Sequence, residues 1–398
     1  MDSRRTSLPP TVILLGLVSL FTDVSSEMVY PLLPLYLSTT LGAPTLALGI
    51  IEGVAEALVS ILKGWSGFHS DRLRRRTPYI RAGYTLAAIS KPMLAFSAGW
   101  LGVLMARSLD RIGKGLRTTA RDALITDVVS PIDRGRAFGL HRSMDTTGAL
   151  VGVMLAGALL WVWPGQYTTV FLYAGIFGFI AVVLTFFVRD VRPALETSGD
   201  SAVPSAAEKQ PFPRRYWYTL GLFAIFSFAN SSDAFLLLRV HQNGFSDVGT
   251  LVVYAGYNIA NILCAYPAGY LSDHFPRWRI IRMGWLLYGI VYAGFALTTG
   301  AWTPVLFIVY GICMGLTQGV SKAIIADLAP ADRRGAALGL FHFSSGIAVL
   351  PGSALAGWLW DRFGPEYAFW LGSLVAFAAM ILAGSVSAPA QRAEHSRK

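Results

Sequence analysis

Residues 127–140, DVVSPIDRGRAFGL, return 200 residues later as residues 327–340, DLAPADRRGAALGL. Matching positions within them include Asp127, Arg134, Gly135, Gly139 and Leu140, with Asp327, Arg334, Gly335, Gly339 and Leu340. The same spacing continues further along the chain and pairs Gly152 with Gly352 and Gly157 with Gly357. An internal match of this length predicts two structurally related halves.

Two further matches fall in corresponding parts of the halves. Ser25-Ser26-Glu27 is matched by Ser231-Ser232-Asp233, and Gly67-Phe-His-Ser-Asp71 is matched by Gly269-Tyr-Leu-Ser-Asp273. Parallel repeats of this kind in a membrane protein imply two bundles related by an axis along the membrane normal, with a binding site at the midplane between them.

Composition predicts an all-α integral membrane protein. Of the 398 residues, 54% are hydrophobic and 14% are charged, whereas soluble domains are roughly a quarter charged. Apolar stretches recur along the chain, and many reach the ~20 residues that cross a bilayer. Six spans are predicted near residues 11–36, 45–67, 78–96, 100–128, 135–162 and 167–188, and six more begin near 216, 247, 280, 302, 336 and 367.

The twelve predicted spans divide the chain into two six-helix bundles. The first bundle covers residues 1–188 and the second covers residues 216–398 with a short tail. Residues 189–215 carry Ser, Pro, Glu and Lys in a polar stretch that is too poor in apolar residues to fold alone, so they are interpreted as a cytoplasmic linker.

The net charge is +10, and the basic residues that produce it are placed along the chain as the rule for membrane topology predicts. Most Lys and Arg outside the spans lie in the two tails and in every second loop, so both termini are predicted to be cytoplasmic. Because these charges form no single basic surface, a nucleic-acid partner is excluded. The predicted location is the bacterial inner membrane, with the lipid bilayer as surroundings.

The sequence indicates no cofactor, metal or enzymatic site. Cys264 and Cys313 both lie in apolar runs and suggest neither a disulfide framework nor a thiolate metal site. The histidines have no partners at metal-ligand spacing. The chain lacks a phosphate-binding glycine loop and a nucleophile motif, so an enzyme is not expected.

Several motifs give the chain a family resemblance. The motifs are Gly67-x-x-x-Asp71-Arg72-x-Arg74-Arg75-Arg76, Arg111-x-x-Lys114-Gly115, Gly148-x-x-x-Gly152 with Gly157, and Asp23 and Glu27 followed by Pro31 and Pro34. Together they resemble the major facilitator superfamily, and in particular its bacterial drug:proton antiporters. Arg74 replaces the family's glycine, and Lys114 replaces its glutamine. The resemblance implies a monomeric transporter of small molecules that works by alternating access.

The resemblance also implies a gate at the loop that runs from Gly67 to Arg76 and includes Arg72. In the family's arrangement, Asp71 faces the start of the eleventh span near Gly335. Arg75 or Arg76 pairs with Asp127. A carboxylate is favourable at a helix N-terminus, and an ion pair can hold one state closed until it breaks. The alternative is a solvated basic loop that only fixes topology.

Basic residues form a stripe along the fourth predicted span. Arg107, Arg111, Lys114, Arg117 and Arg121 follow one another at three or four residues, which places them on one helix face. One interpretation is capture of an anionic or zwitterionic substrate by Arg111, Lys114 and Arg117. The other is internal pairing with Asp110 and Asp122, which Glu52 or Glu56 can complete.

Carboxylates in the first two spans are candidates for proton coupling, since a buried carboxyl group can carry a proton. Glu27 is the first choice and Asp23 the second, followed by Glu56, Glu52 and Asp110. The alternative for Glu27 is a permanent ion pair with Lys91 or Lys63.

The second half contributes polar and mostly neutral candidates for substrate binding. These are Asn230, Asp233, Asn258 and Gln318. Helix-to-helix packing is the alternative role for the amides.

The sequence therefore predicts a proton-coupled secondary active transporter that exports a small organic anion or zwitterion. One rival is a multidrug exporter of cationic or neutral amphiphiles, favoured if the cations of the fourth span are fully paired. A rival of another class is a lipid flippase or a non-transporting membrane sensor.

Overall fold

The computed structural model describes residues 8–73, 75–130, 133–190, 211–330 and 333–395, and within these ranges it contains no β-strand. The earlier helices are α1 Pro10–Val29, α2 Thr45–Leu73, α3 Thr77–Ala95, α4 Trp100–Val128, α5 Arg134–Val162 and α6 Tyr167–Thr185. The later helices are α7 Arg214–Ala229, α8 Asp233–Gln242, α9 Asp247–His274, α10 Arg277–Leu297, α11 Thr303–Leu328, α12 Arg334–Phe363 and α13 Pro365–His395. Arg74 and most of the predicted linker lie outside the described residues.

The helices have the length and surface of a multi-pass membrane protein. Within the described ranges, ten helical stretches are long and apolar enough to cross a bilayer. Large apolar side chains such as Phe96, Trp161 and Leu263 are 77%, 77% and 68% exposed. Exposed apolar surface is favourable when lipid, and not water, surrounds it. The count of twelve spans and the cytoplasmic termini remain predictions.

Helices α3 and α4 are absent from the ten apolar stretches, although they are 19 and 29 residues long. Their length suffices for a bilayer, so charge is what distinguishes them. Helix α4 holds the basic stripe, and α3 contains Arg81 and Lys91. The basic residues of the first half are thus prominent on two adjacent helices.

Two interruptions in the helices have local causes. After α1, Pro31 and Pro34 remove backbone donors, and the chain continues in irregular helical turns to Thr40. Between α7 and α8 the helix breaks at Asn230, and the Ser232 hydroxyl accepts a hydrogen bond from the Ala234 amide at 3.3 Å. Ser232 is a favourable N-cap residue, so Asp233 becomes the first residue of α8.

The chain forms two compact units, of which unit 1 contains residues 1–36 and 58–202. Helix α1 packs on α5 and α6, and α3 packs on α4 and α6. Contact between α1 and α5 is at backbone distance: a Cβ atom on Gly148 would lie 2.4 Å from the Leu20 carbonyl oxygen, and one on Gly152 would lie 2.5 Å from that of Val24. Small residues allow this close approach.

Unit 2 contains residues 37–57 and 203–398. Helix α9 packs on α11, and α10 packs on α11 and α13. The centre is aromatic, with fully buried Trp285, Tyr288, Tyr292, Phe295 and Phe369. Stacked and edge-to-face ring pairs, such as Tyr288 with Tyr292 at 4.2 Å, fill it.

The first part of α2 packs within unit 2 against α12. A Cβ atom on Gly49 would lie 2.1 Å from the Ser353 carbonyl oxygen. The Asp361 carboxylate accepts hydrogen bonds from the Thr45 and Leu46 amides at 2.8 and 2.7 Å, which satisfies the start of α2. In the structure, residues 37–57 pack with the later part of the chain, in unit 2. The sequence repeat, in contrast, assigns them to the earlier half.

Equivalent contacts recur in the two units. Arg76 pairs with Asp127 at 3.4 Å in unit 1, and Arg277 pairs with Asp327 in unit 2. Gly352 of α12 meets the Phe228 carbonyl in the same way that Gly152 meets that of Val24. The sequence repeat is thus accompanied by a structural one.

Candidate functional site

Asp110 of α4 is the centre of a buried ionic cluster in unit 1. Its carboxylate accepts a hydrogen bond from Lys91 Nζ at 2.7 Å, and it lies 3.7 Å from Arg107 Nη1 and 3.4 Å from Arg111 Nε. All four residues are less than 10% exposed, and Arg107 also lies over the Tyr30 ring at 4.9 Å. Three cations share one carboxylate, so this cluster has an excess of positive charge.

The cluster changes two predictions. Lys91, offered as a partner of Glu27, has Asp110 as its close partner, because α3 and α4 are in direct contact. Asp110, offered as a proton carrier, is surrounded by three cations and is better suited to ion pairing than to coupling.

Arg117 lies further along α4 in a different environment. It is 5% exposed, and its guanidinium carbon is 4.6 Å from the centre of the Tyr84 ring. Its Nη1 atom has no hydrogen-bond partner among the described residues. Lys114, between them in sequence, is exposed, and both Lys114 and Arg117 act electrostatically on Asp23 of α1.

The contact between α1 and α5 brings titratable groups together. Asp23 experiences the charges of Glu27 on its own helix and of Asp145 on α5. Asp145 accepts a hydrogen bond from the Ser19 hydroxyl and lies 3.6 Å from His141 Nδ1. Titratable groups of both helices therefore act on one another across this contact.

In unit 2, two tyrosines hold Asp233 at the break between α7 and α8. The Tyr310 hydroxyl donates to Oδ1 at 2.7 Å and the Tyr257 hydroxyl donates to Oδ2 at 2.9 Å. The Tyr310 hydroxyl also lies 3.0 Å from the Asn230 side-chain oxygen. The two rings are stacked at 5.5 Å, so an aromatic wall adjoins the carboxylate.

Glu52 and Glu56 belong to this second site. The Ser232 hydroxyl donates to Glu52 at 3.3 Å, and Glu52 is 2% exposed. Both glutamates act electrostatically on Asp233. Their positions follow from the packing of the first part of α2 in unit 2.

The predicted amides have modest local contacts. Asn258 donates to the Tyr254 carbonyl at 3.0 Å, one turn back in α9. Gln318 is exposed and lies 3.9 Å from the Met314 sulfur. These contacts do not bring either side chain to Asp233.

Comparisons with known proteins identify the family. A sequence profile of the Major Facilitator Superfamily matches residues 15–321 and 245–398. The chain belongs to the Major Facilitator Superfamily. It is 33% identical to an MFS-type transporter of Methanocaldococcus jannaschii, over 94% of both chains. It is 26% identical to the multi-drug resistance efflux pump PmrA of Streptococcus pneumoniae, over 90% of this chain and 92% of that one.

Solved structures show the superfamily's fold. The nucleoside transporter NupG, in a D323A mutant structure, matches with a TM-score of 0.78 over 95% of this chain and 99% of that one. Its sequence identity is 12%, so the likeness concerns the fold alone. The protein is therefore a membrane transporter with the superfamily fold.

The superfamily's signature loop is described in part. A Cβ atom on Gly67 would lie 2.8 Å from the Thr119 methyl group of α4. Arg76 also donates to Ser70 at 3.0 Å, whereas Arg75 is exposed. The side chains of Asp71 and Arg72 lie outside the described residues, so the expected contact of Asp71 stays a prediction.

Asp190, after α6, anchors the end of this loop. Its carboxylate accepts hydrogen bonds from the Arg76 and Thr77 amides, both at 2.9 Å. Partial burial acts to raise the pKa of Asp190, but hydrogen bonds from Thr77 and Arg76 outweigh it and the pKa is lowered. The loop is thus tied to α6 as well as to Asp127.

Sequence reasoning missed several partners of the functional residues. Asp145, His141, Tyr257 and Tyr310 were not among the candidates, although they contact or face residues that were. Asp145 lies one helical turn from His141 in the sequence, and that spacing was the available signal. The tyrosines gave none, because transmembrane tyrosines also serve as packing and interfacial residues.

Proposed function

We propose that this superfamily member is a proton-coupled secondary active transporter that works by alternating access and exports a small organic anion or zwitterion. We place it in the bacterial inner membrane as a monomer with twelve spans and cytoplasmic termini. Residues 1–188 and 216–398 form its two halves, joined by the linker 189–215.

The main support for an anionic substrate is the burial and incomplete hydrogen bonding of a guanidinium group on α4. Arg117 is 5% exposed, and its Nη1 atom has no hydrogen-bond partner among the described residues, whereas Arg111 Nε lies 3.4 Å from the Asp110 carboxylate. A buried N–H without an acceptor is costly, and a bound carboxylate or phosphate would supply the acceptor. Lys114, which is exposed and lies between Arg111 and Arg117 in the sequence, adds a further positive charge to this face of α4.

Proton coupling is supported by the acidic residues of α1. A Cβ atom on Gly152 of α5 would lie 3.2 Å from Glu27 Cβ, and Asp145 of the same helix acts electrostatically on Asp23. Ionisable groups inside the membrane are expensive and mark ion or proton routes. Because Asp23 faces both Asp145 and the cations of α4, its proton and the substrate's charge can compete.

Ligand-dependent thermal stability in detergent tests the substrate class. The probes are pools of dicarboxylates, amino acids and quaternary ammonium compounds, applied to the wild type and to Lys114→Ala. A ligand at 100 times its Kd stabilises the folded state by about 2.7 kcal/mol, which raises the Tm measurably. We expect the dicarboxylate or amino-acid pool to raise the Tm of the wild type and to raise that of Lys114→Ala less.

The control is Lys322→Ala, which removes a lysine from α11 and is expected to respond as the wild type does. Stabilisation by quaternary ammonium compounds alone, retained in Lys114→Ala, contradicts the anionic proposal and favours the second candidate.

The second candidate is export of cationic amphiphiles, and unit 2 favours it. Asp233, Glu52 and Glu56 form an acidic group next to the stacked Tyr257 and Tyr310. Residues 37–57, 216–238, 247–276 and 283–321 contain no Lys or Arg. Carboxylates beside aromatic faces are suited to organic ammonium groups. The similarity to PmrA, a multidrug efflux pump, points the same way.

A further inference from the structure

His141 and Asp145 form a pair on α5 that the proposed function does not yet use. They are four residues apart, so they lie on one face of the helix. His141 Nδ1 is 3.6 Å from Asp145 Oδ2, and the other carboxylate oxygen accepts from the Ser19 hydroxyl of α1. Ser19 is itself one helical turn from Asp23. Ser19–Asp145 and Asp145–His141 are direct contacts, and Asp145 also acts electrostatically on Asp23.

The far nitrogen of His141 is the unusual feature. The residue is 4% exposed, yet its Nε2 atom has no hydrogen-bond partner among the described residues. A histidine that only supports structure is expected to satisfy both ring nitrogens when it is buried. A histidine that passes protons needs one nitrogen on a carboxylate and the other available to a second group.

Charged groups from all neighbouring helices face the pair. Arg121 and Asp122 of α4 and Arg142 of α5 act on His141, together with Asp145 itself. Arg121 donates to the Ser19 hydroxyl at 3.1 Å and pairs with Asp122 at 2.9 Å. Arg121 therefore holds Ser19 in place and supplies a fixed positive charge beside it. Asp23 approaches from α1 and faces Asp145.

We propose that Asp145 and His141 form a proton relay between Asp23 and the end of α5 that begins at Arg134. The proposal rests on the proposed proton coupling and names the residues through which the proton leaves α1. The Asp23 carboxyl group gives its proton to Asp145 through the Ser19 hydroxyl, which gives one proton and receives one. Asp145 then protonates His141 Nδ1 and returns to the carboxylate, and Nε2 releases its proton to water. This leaves His141 as the Nδ1–H tautomer, so the ring must flip or exchange its proton before it accepts the next one.

Time-resolved infrared spectroscopy tests the relay without a known substrate. The purified protein in lipid nanodiscs is stepped between about pH 8 and about pH 5, which spans the range in which histidine titrates. The signal is the C=O band of protonated carboxyl groups, recorded as an amplitude and a rate. The variants are Asp145→Asn, Asp145→Glu and His141→Gln. His342→Gln, which removes a histidine from the equivalent helix of unit 2, is the control.

We expect His141→Gln to keep the amplitude of the band and to slow its appearance about tenfold or more. Asp145→Asn should lose part of the amplitude and slow the remainder, whereas Asp145→Glu should restore both. His342→Gln should match the wild type. A purely structural role for His141 would leave the rate unchanged in every folded variant.

Two results separate the relay from the function on which it rests. Equal rates in the wild type, His141→Gln and Asp145→Glu, with a normal carboxyl band in each, would overturn the relay alone. A wild-type protein whose carboxyl band does not respond to the pH step would overturn proton coupling itself.

Discussion

Asp110, Asp233 and Asp23 occupy three different environments within the membrane-spanning helices. Asp110 is surrounded by three cations, and Asp233 is held by two tyrosine hydroxyls. Asp23 faces carboxylates and cations at once. The first environment neutralises a charge permanently, the second supports it with neutral donors, and the third leaves its balance open to change. We propose the third environment as the one that suits a proton that comes and goes.

Loss of the Asp110 carboxylate should destabilise the protein strongly. Asp110→Asn leaves Lys91, Arg107 and Arg111 buried without their shared anion, and breaking a buried pair costs about 3–5 kcal/mol. We expect a clear fall in Tm in detergent, measured by intrinsic tryptophan fluorescence.

Asp122→Asn is the matched control for this change on the same helix. The Asp122 side chain is 43% exposed, so its pair with Arg121 is screened and contributes about 0–1 kcal/mol. Equal Tm values for the two variants would show that the buried cluster does not stabilise the fold.

At this scale the sequence predicted which residues carry charge but not how they pair. The helical spacing placed Arg107, Arg111 and Lys114 on one stripe. The partner of Asp110 comes from α3, because Lys91 is brought to it by the packing of two helices. A spacing rule within one helix has no information on such a contact.

At the scale of whole helices, the contact between α1 and α5 depends on two glycines. Gly148 and Gly152 let the backbones approach until there is no space for a methyl group. The Gly148-x-x-x-Gly152 motif, noted in the sequence for its family resemblance, therefore has a direct packing role. It also sets the distance between Asp23 and Asp145.

Gly148→Ala should destabilise the α1–α5 contact. The new Cβ would lie 2.4 Å from the Leu20 carbonyl oxygen, and this backbone atom cannot move as a side chain can. Overpacking of this kind costs about 1–3 kcal/mol. Thermal unfolding in detergent measures the loss.

Gly139→Ala, in the same helix, is the control for that measurement. A Cβ atom at Gly139 meets nothing within 4 Å. Alanine is about 0.5–1 kcal/mol better than glycine within a helix, so this variant should be as stable as the wild type or slightly more so. A similar loss in both variants would contradict the packing role of Gly148.

The helices themselves were well predicted, and their breaks were not. The twelve predicted span starts lie within three residues of a helix start. The break at Asn230 went unnoticed because residues 216–242 are apolar enough to suggest one continuous helix. The grouping of residues 37–57 with unit 2 also depends on tertiary contact with α12, which no local pattern encodes.

At the scale of the whole molecule, the two repeats share a framework and differ in chemistry. The pairs Arg76–Asp127 and Arg277–Asp327 are equivalent, and so are the backbone contacts of Gly152 and Gly352. The cations of α4 have no counterparts in α11, where Gly311, Met314 and Thr317 stand at the equivalent positions. The repeat was read from sequence because the framework retains its glycines and charges.

The predicted topology can be tested over the whole chain with single cysteines in a background that lacks Cys264 and Cys313. Cysteines in the connections 163–166, 243–246 and 298–299 should react with a membrane-impermeant maleimide added to intact cells. Cysteines in 129–130 and 275–276 should react only after the cells are opened, because the basic tails and loops favour the cytoplasm. The reverse pattern would contradict cytoplasmic termini.

The Lys91–Asp110 bond has a consequence for biogenesis. A charged residue at the centre of a helix costs about 2.5–3.5 kcal/mol on entry from the translocon into lipid, so α4 with its stripe of charges is a poor candidate for insertion alone. Helices α3 and α4 are joined by the short connection 96–99, and the bond between them neutralises one charge on each. We therefore expect α3 to be retained in the translocon until α4 has been made. The two helices then enter the bilayer together as a hairpin in which the ion pair has already formed.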